Sequence, residues 1–348
     1  MRFRQPSGGR ARSARSSAAG HLRSSALVSA AAVVALLVAG CGSAAPATRA
    51  PQPEAVGDEL TVAAQAPASV WQVAWVSPSV QLTGIHVFGP ENVWVAGSDG
   101  RIYAWDGTGW HVQRLDEDLG AMAAVSPRDV WVSSDDGIRH WNGSGWSLTS
   151  HDGAVTALAA LDAHHVWATD QIGIRTWNGT TWVRQYVAAG ADLTGIATAD
   201  ATHAWAVGSL PDGSGVIVAW DGSAWTVQAT VPQPLSAVYA AGPASAWAIG
   251  PEGAVYTWDG STWQQTADLH LPLTGIAGSG PGHVWAVSQS GQVLSLEGST
   301  WTVVYRAPTT LSAISALDGS TVWAIGFDTI YSTVAPSSTP AQWNTAGL

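Results

Sequence analysis

The chain has 348 residues, 46% of them hydrophobic and 11% charged, and its aromatic content is dominated by 21 tryptophans against three phenylalanines. Such a chain is long and apolar enough for a large core, and that core has to be built mostly from Ala, Val and Trp. A formal charge of −11 with no lysine disfavours nucleic acid binding, which needs a positive field to displace counterions. The single cysteine, Cys41, excludes internal disulfides and thiolate metal clusters.

In chain order, the first 40 residues come first, with six arginines, no acid and an apolar run from Ala26 to Ala39. That run is shorter than the ~20 residues a helix needs to span a bilayer, so residues 1–40 are expected to be a secretory signal. The run ends Leu37-Val38-Ala39-Gly40-Cys41, which resembles a bacterial lipobox. The resemblance implies cleavage before Cys41 and a diacylglycerol on its thiolate, giving an extracytoplasmic chain anchored to the membrane rather than spanning it. Removing residues 1–40 takes away six of the 14 basic residues and leaves eight against 25 acids, a formal charge of −17. Residues 41–68, rich in Ala and Pro without periodicity, read as an extended tether.

From residue 69 to 335 a unit recurs seven times. It begins (Leu/Val)-Xaa-(Gly/Ala)-aliphatic at Leu82, Leu119, Val155, Leu193, Leu235, Leu273 and Leu311, and twelve residues later it reaches Trp94, Trp131, Trp167, Trp205, Trp247, Trp285 and Trp323. The starts lie 36 to 42 residues apart, a period of β-sheet arrays, and no helical 3.6-residue pattern runs through it. In the first unit the turn residues leave four strands: Leu82 to Val87, Val93 to Ala96, Arg101 to Trp105 and Trp110 to Arg114. Asp106-Gly107 between the last two predicts a two-residue type I′ hairpin in which Trp105 pairs with Thr108. Asp221-Gly222, Asp259-Gly260, Asn142-Gly143 and Asn178-Gly179 repeat the signal. The tryptophans around these turns are expected between neighbouring sheets, since one four-stranded sheet offers nothing to bury them against. The seventh unit has no fourth strand of its own, and Val70-Trp71-Gln72-Val73 has the right form to complete it. The reading is an all-β, seven-bladed propeller with four-stranded antiparallel blades, closed by the strand near Trp71, followed by a tail over 336–348.

The pattern Val-Trp-Ala-Val-Gly, then Ile-Tyr-Xaa-Trp-Asp-Gly-Xaa-Xaa-Trp, resembles propeller repeats of the tectonin type and of the Asp-box (BNR-like) superfamily across residues 69–335; the Trp-Asp pair is shared with WD-type repeats, but their recurring Gly-His element is absent. The resemblance implies glycan or protein recognition. Asp-box repeats place one residue between Asp and Gly, whereas Asp259 and Gly260 are adjacent.

The first strands, which line a propeller's channel, carry no Asp, Glu, Arg or Lys in their opening six residues; His86 and Tyr239 are their only polar aromatics. A sialidase-like site needs an arginine cluster and paired carboxylates, so no catalytic residue is assigned and a glycoside-active enzyme is disfavoured. His165, His203 and His283 each stand two residues before the second-strand Trp and read as turn caps rather than metal ligands. The loops after the second strands and between blades share one face, and there blades one to three carry Asp99, Asp116, Glu117, Asp118, Asp135, Asp136, Asp152, Asp170 and Asp192, while the longest insertion, Ser209 to Gly215 with Asp212, lies in blade four. Asp99, Asp116, Asp118, Asp135, Asp136, Asp170 and Asp212 are the candidate binding face. Carboxylates so placed suit a cationic partner or Ca²⁺, though no cofactor is required. The expected function is that of a monomeric, non-catalytic surface lipoprotein that binds an envelope glycan or protein, with assembly or scaffolding of an envelope complex as the alternative.

Overall fold

A computed structural model describes residues 71–76, 80–115, 117–151 and 154–334. Cys41, the tether, Asp116, Asp152 and the tail lie outside these residues. The described chain is all β, with 28 strands in seven four-stranded antiparallel sheets. β1 is Gln72–Val76. Blade one is β2 (Leu82–Gly89), β3 (Asn92–Gly97), β4 (Arg101–Trp105) and β5 (Trp110–Arg114); blade two is β6 (Leu119–Ser126), β7 (Asp129–Ser134), β8 (Gly137–Trp141) and β9 (Trp146–Ser150). Blade three is β10 (Val155–Asp162), β11 (His165–Asp170), β12 (Gly173–Trp177) and β13 (Trp182–Val187); blade four is β14 (Asp192–Asp200), β15 (His203–Ser209), β16 (Gly215–Trp220) and β17 (Trp225–Val231). Blade five is β18 (Ala237–Gly242), β19 (Ser245–Ile249), β20 (Ala254–Trp258) and β21 (Trp263–Asp268); blade six is β22 (Leu273–Gly280), β23 (His283–Ser288), β24 (Gln292–Glu297) and β25 (Thr300–Arg306). Blade seven holds β26 (Leu311–Ala316), β27 (Val322–Gly326) and β28 (Thr329–Ser332), and β1 pairs antiparallel with β28 on its outer edge. The first strands pack side against side around the circle, from β2 against β6 through to β26 against β2.

The turn between third and fourth strands differs from the two-residue hairpin expected. Trp105 lies opposite Trp110, not Thr108, so the loop has four residues, 106–109, and the two indoles meet directly at 5.6 Å between ring centroids. The reason is the aspartate side chain. Asp106 Oδ1 accepts the backbone N–H groups of Thr108 at 2.8 Å and Gly109 at 2.9 Å, so the carboxylate satisfies the loop's own donors and only Gly107 needs a positive φ, +89°. Asn142, Asn178, Asp221 and Asp259 do the same in the next four blades.

Burial is organised by seam. The seven apolar clusters of the described chain each join two neighbouring blades. Each second-strand Trp is at most 7% exposed, and where the next blade carries a Trp pair it reaches that pair: Trp94 lies 6.1 Å from Trp141, Trp131 5.3 Å from Trp177, Trp205 6.2 Å from Trp258, and Trp323 6.3 Å from Trp110. Burying ~200 Å² of indole is worth up to about 5 kcal/mol, so the seams carry most of the stabilisation.

Two polar ladders fix the spacing of the blades. At the outer rim a β-bulge turns one fourth-strand residue toward the next blade, where it accepts an indole N–H. Trp182 donates to Thr149 at 3.1 Å, Trp225 to Gln185 at 3.2 Å and Trp263 to Gln228 at 2.8 Å; Trp146 donates to the equivalent, unbulged Gln113 at 2.8 Å. At the inner rim the hydroxyls of Thr156, Thr194, Ser236 and Thr274 donate to the carbonyls of Leu193, Leu235, Leu273 and Leu311 of the following blade, at 2.6 to 3.2 Å. The outer ladder changes at the last seams: the bulged residues there are Val304 and Ala74, which have no acceptor to offer.

Candidate binding face

The channel strands give little to chemistry. Their hydroxyls are engaged, four in the inner ladder and those of Thr83 and Ser312 with carbonyls of their own blades, and the two polar aromatics sit in different blades. The His86 ring packs 4.6 Å from Phe88, and burial lowers its pKa to about 4, which keeps it neutral near pH 7. Tyr239 stacks on Trp247 at 6.0 Å, and burial pushes its phenol up. It leans so closely on blade six that a Cβ on Gly278 would fall 2.5 Å from its ring. Neither side chain hydrogen-bonds a carboxylate among the described residues. A recess of about 300 Å³ on the outer rim, against Val303, Val304, Tyr305 and Arg306, offers one cation and no acid.

The face formed by loops after the second strands and between blades is where the acids were expected, and the structure sorts them into two groups. Asp99 is bound by Arg101. Asp136 pairs with Arg139 at 2.8 Å, and Glu117 lies 3.8 Å from the same guanidinium. Asp170, with its side chain only 9% exposed, is the most enclosed: Arg184 grips it through two bonds of 2.8 Å, Arg175 Nε lies 2.9 Å away, and the N–H groups of Ile172 and Gly173 donate to Oδ1. Burial works against ionisation, but Arg184 and the two backbone donors outweigh it and hold the carboxyl below the usual range. Arg175 continues across the seam to Ser150 Oγ of blade two at 2.9 Å. Asp118, Asp135, Asp192 and Asp212 form the second group and have no cationic partner among the described residues. Asp118 and Asp135 are neighbours, joined by a backbone bond of 3.2 Å. Among the described residues no three His, Cys, Asp or Glu side chains converge as they would around a metal ion.

The seam arginines were not singled out from the sequence, although a signal was present: Gly137-Ile138-Arg139 and Gly173-Ile174-Arg175 place arginine where the other blades have Tyr103, Val218, Tyr256, Leu294 and Tyr331.

On the opposite face the acids are spent on turns. Asp162 Oδ1 accepts the N–H groups of His164 and His165, Asp200 that of Thr202, and Asp318 those of Ser320 and Thr321. The capping group is thus the aspartate three residues before His165 and His203, and the histidine is its guest, with Nδ1 2.8 Å from Asp162 and 2.9 Å from Asp200. His111 binds Asp106 at 2.6 Å, and His140 binds Asp129 at 2.8 Å while lying 3.9 Å over Trp131. Burial opposes it, but the bonds from Thr202 and His203 lower the Asp200 carboxyl to about 2, and those from Ser261 and Thr262 lower Asp259 to about 2.

No family model matches the chain, and comparison with curated proteins gives no match. Solved structures are similar in fold. YCF48 bound to a D1 peptide superposes with a TM-score of 0.64 at 16% identity, covering 80% of this chain and 98% of that one. The RRP9 WD40 repeats give 0.63 at 15% identity, with 77% and 98% covered, and the WD40 propeller domain of Doa1 gives 0.62 at 12%, with 75% and 96% covered. The fold is that of a WD40-like seven-bladed β-propeller.

Proposed function

We propose that the chain is a non-catalytic binding or scaffolding protein that engages a protein partner through the face bearing Asp99, Asp136 and Asp170, and that a lipid on Cys41 holds it at the outer side of a membrane. The observation that carries this reading is the contrast in where reactive and adhesive groups lie. The channel offers hydroxyls already in use, while the loop face presents exposed apolar side chains, Ile172 and Val187, beside charges locked in place by arginine. Such a surface of fixed apolar and ionic groups is suited to protein recognition. A glycan reading is weaker, because sugar stacking uses exposed aromatic faces and every described tryptophan is at least half-buried. That YCF48 was captured with a peptide gives a precedent for this fold in peptide binding.

The test is photo-cross-linking in living cells, with a benzophenone amino acid placed singly at Gln171, Asp212 and Glu252 on the loop face and at Thr108, Ser223 and Ser261 on the opposite face. Discrete protein adducts confined to the first three positions are expected; equal labelling of both faces, or none, sinks the proposal. Anchoring is read separately: the full chain should partition into detergent on phase separation, and Cys41→Ser should move it to the aqueous phase.

A further inference from the structure

The two most exposed large apolar side chains of the described chain, Val187 at 62% and Ile172 at 59%, are neighbours. In β13 Trp182, Arg184 and Tyr186 are partly buried, whereas Val183 and Val187 are exposed. Val187 pairs with Gly173, and Ile172 accepts the Ala188 N–H at 2.8 Å, so the two exposed residues lie one position apart on adjoining segments at the rim. Their mounting is rigid. Asp170 holds the backbone of Ile172 and Gly173, and Gly173, at φ +149°, passes so close to Tyr186 that a Cβ would lie 2.0 Å from its carbonyl oxygen. The chain then turns through exposed Ala189, at φ +41°, and Gly190, closed by a 2.7 Å bond from Ala191 to Ala188. A non-glycine residue in the left-handed region is held there only by its surroundings. Gly190 faces Pro211 of the blade-four insertion, whose Cγ would be 3.7 Å from a Cβ on the glycine.

This places Ile172, Val187, Ala189 and Pro211 on one apolar ridge, and the two acids that border it, Asp192 and Asp212, are exposed and have no cationic partner among the described residues. At the strand end equivalent to Val187 the first, fifth and sixth blades have Arg114, Asp268 and Arg306, while the fourth has buried Val231 and the seventh exposed Val76; this rim adds Ile172, Asp192 and Asp212 to its exposed valine.

We propose, building on the protein-binding reading above, that this ridge is the docking surface and that its occupant is an extended peptide segment combining aliphatic residues with lysine or arginine. The aliphatic side chains cover Ile172 and Val187, and the basic ones meet Asp192 and Asp212, a pairing that depends on salt because both acids face water.

Random dodecapeptides displayed on phage and selected on the full chain in detergent test this directly, followed by titration of the selected peptides, fluorescein-labelled, against variants. Selected peptides should be rich in Ile, Leu or Val with Lys or Arg. Ile172→Asp with Val187→Asp should weaken them at least tenfold, on the order expected for anchor residues. Asp192→Asn with Asp212→Asn should weaken them about threefold to tenfold and flatten the salt dependence, and Phe327→Asp, an exposed apolar residue of blade seven, should leave them unchanged. Ile172→Ser with Val187→Ser repeats the first test without buried-charge risk, and each variant's melting point should match the parent. Selection of acidic peptides, or unchanged binding to the ridge variants, overturns the proposal. Peptides sensitive only to Phe327→Asp would remove this surface and leave the protein-binding reading standing; no enrichment at all would remove both.

Discussion

The two faces of the propeller use the same residue type for different ends. On the face of the third-to-fourth-strand turns, Asp106, Asp221 and Asp259 fold back on their own loops and are occupied by backbone donors within three residues. On the other face Asp170 is occupied by arginines, one of them only 3% exposed, and Asp192 and Asp212 are left to solvent. A turn-capping aspartate is a local device that each repeat can carry alone. An arginine-clasped aspartate belongs to a seam, so it ties the binding face to the packing of two blades.

The largest effect should come from breaking that clasp. Asp170→Ala removes the carboxylate that Arg175 and Arg184 share, and removing one partner of such an enclosed cluster costs about 3 kcal/mol, the lower end for buried pairs because Arg184 is partly exposed. Urea unfolding measures it, and a change under 1 kcal/mol would show that the cluster is not structural. Asp221→Asn on the opposite face should leave the midpoint unmoved, since Asn142 and Asn178 already serve the same turn in blades two and three.

Next comes the outer ladder. Gln228 Oε1 accepts from both Trp205, at 3.0 Å, and Trp263, at 2.8 Å, so Gln228→Leu strands two indole N–H groups and should cost about 2 kcal/mol. Val304→Ala, at the corresponding position of a seam without this bond, should cost less than half as much. Equal losses at the two positions would mean that the ladder contributes nothing beyond packing.

The smallest effect is on acid stability. Asp259 has its folded pKa depressed to about 2 from an unfolded value near 3.9. Its contribution is therefore complete above about pH 4 and is lost as the pH falls toward 2. Melting temperatures of the parent should be level from pH 7 to 5 and decline below 4, and Asp259→Asn should decline slightly less over that window. A steeper decline in the variant would contradict the sign.

Much of the fold was legible because each repeat states it locally. The twelve-residue step to Trp131 or Trp205, the turn residues and the five-residue step from Trp105 to Trp110 all concern contacts within one blade, or a demand for burial that only a neighbouring sheet can meet. The turn at Asp106 was misjudged because positive-φ preference and side-chain capping favour the same Asp-Gly pair, and capping won. The seam contacts were not legible for a different reason. Gln185 and Trp225 are 40 residues apart, and Arg175 and Ser150 are 25 apart; their meeting depends on the angle between blades, which no local pattern encodes. Of the candidate face, Asp99, Asp136 and Asp170 proved to be arginine-bound, Asp118, Asp135 and Asp212 have no such partner among the described residues, and Asp116 and Cys41 lie outside those residues. The apolar neighbours Ile172 and Val187 escaped notice in the sequence because a β-branched residue is ordinary at a strand end and a single apolar residue in a turn is common on protein surfaces; only the register brings them together.

Hydrogen exchange on the full chain, with and without a saturating selected peptide, tests the division of labour between the faces most directly. Slowed exchange is expected in residues 170–173, 187–192 and 209–214, with no change in the turns at 106–109, 221–224 and 259–262. Protection of those turns, with the blade-three and blade-four loops unaffected, would contradict the account.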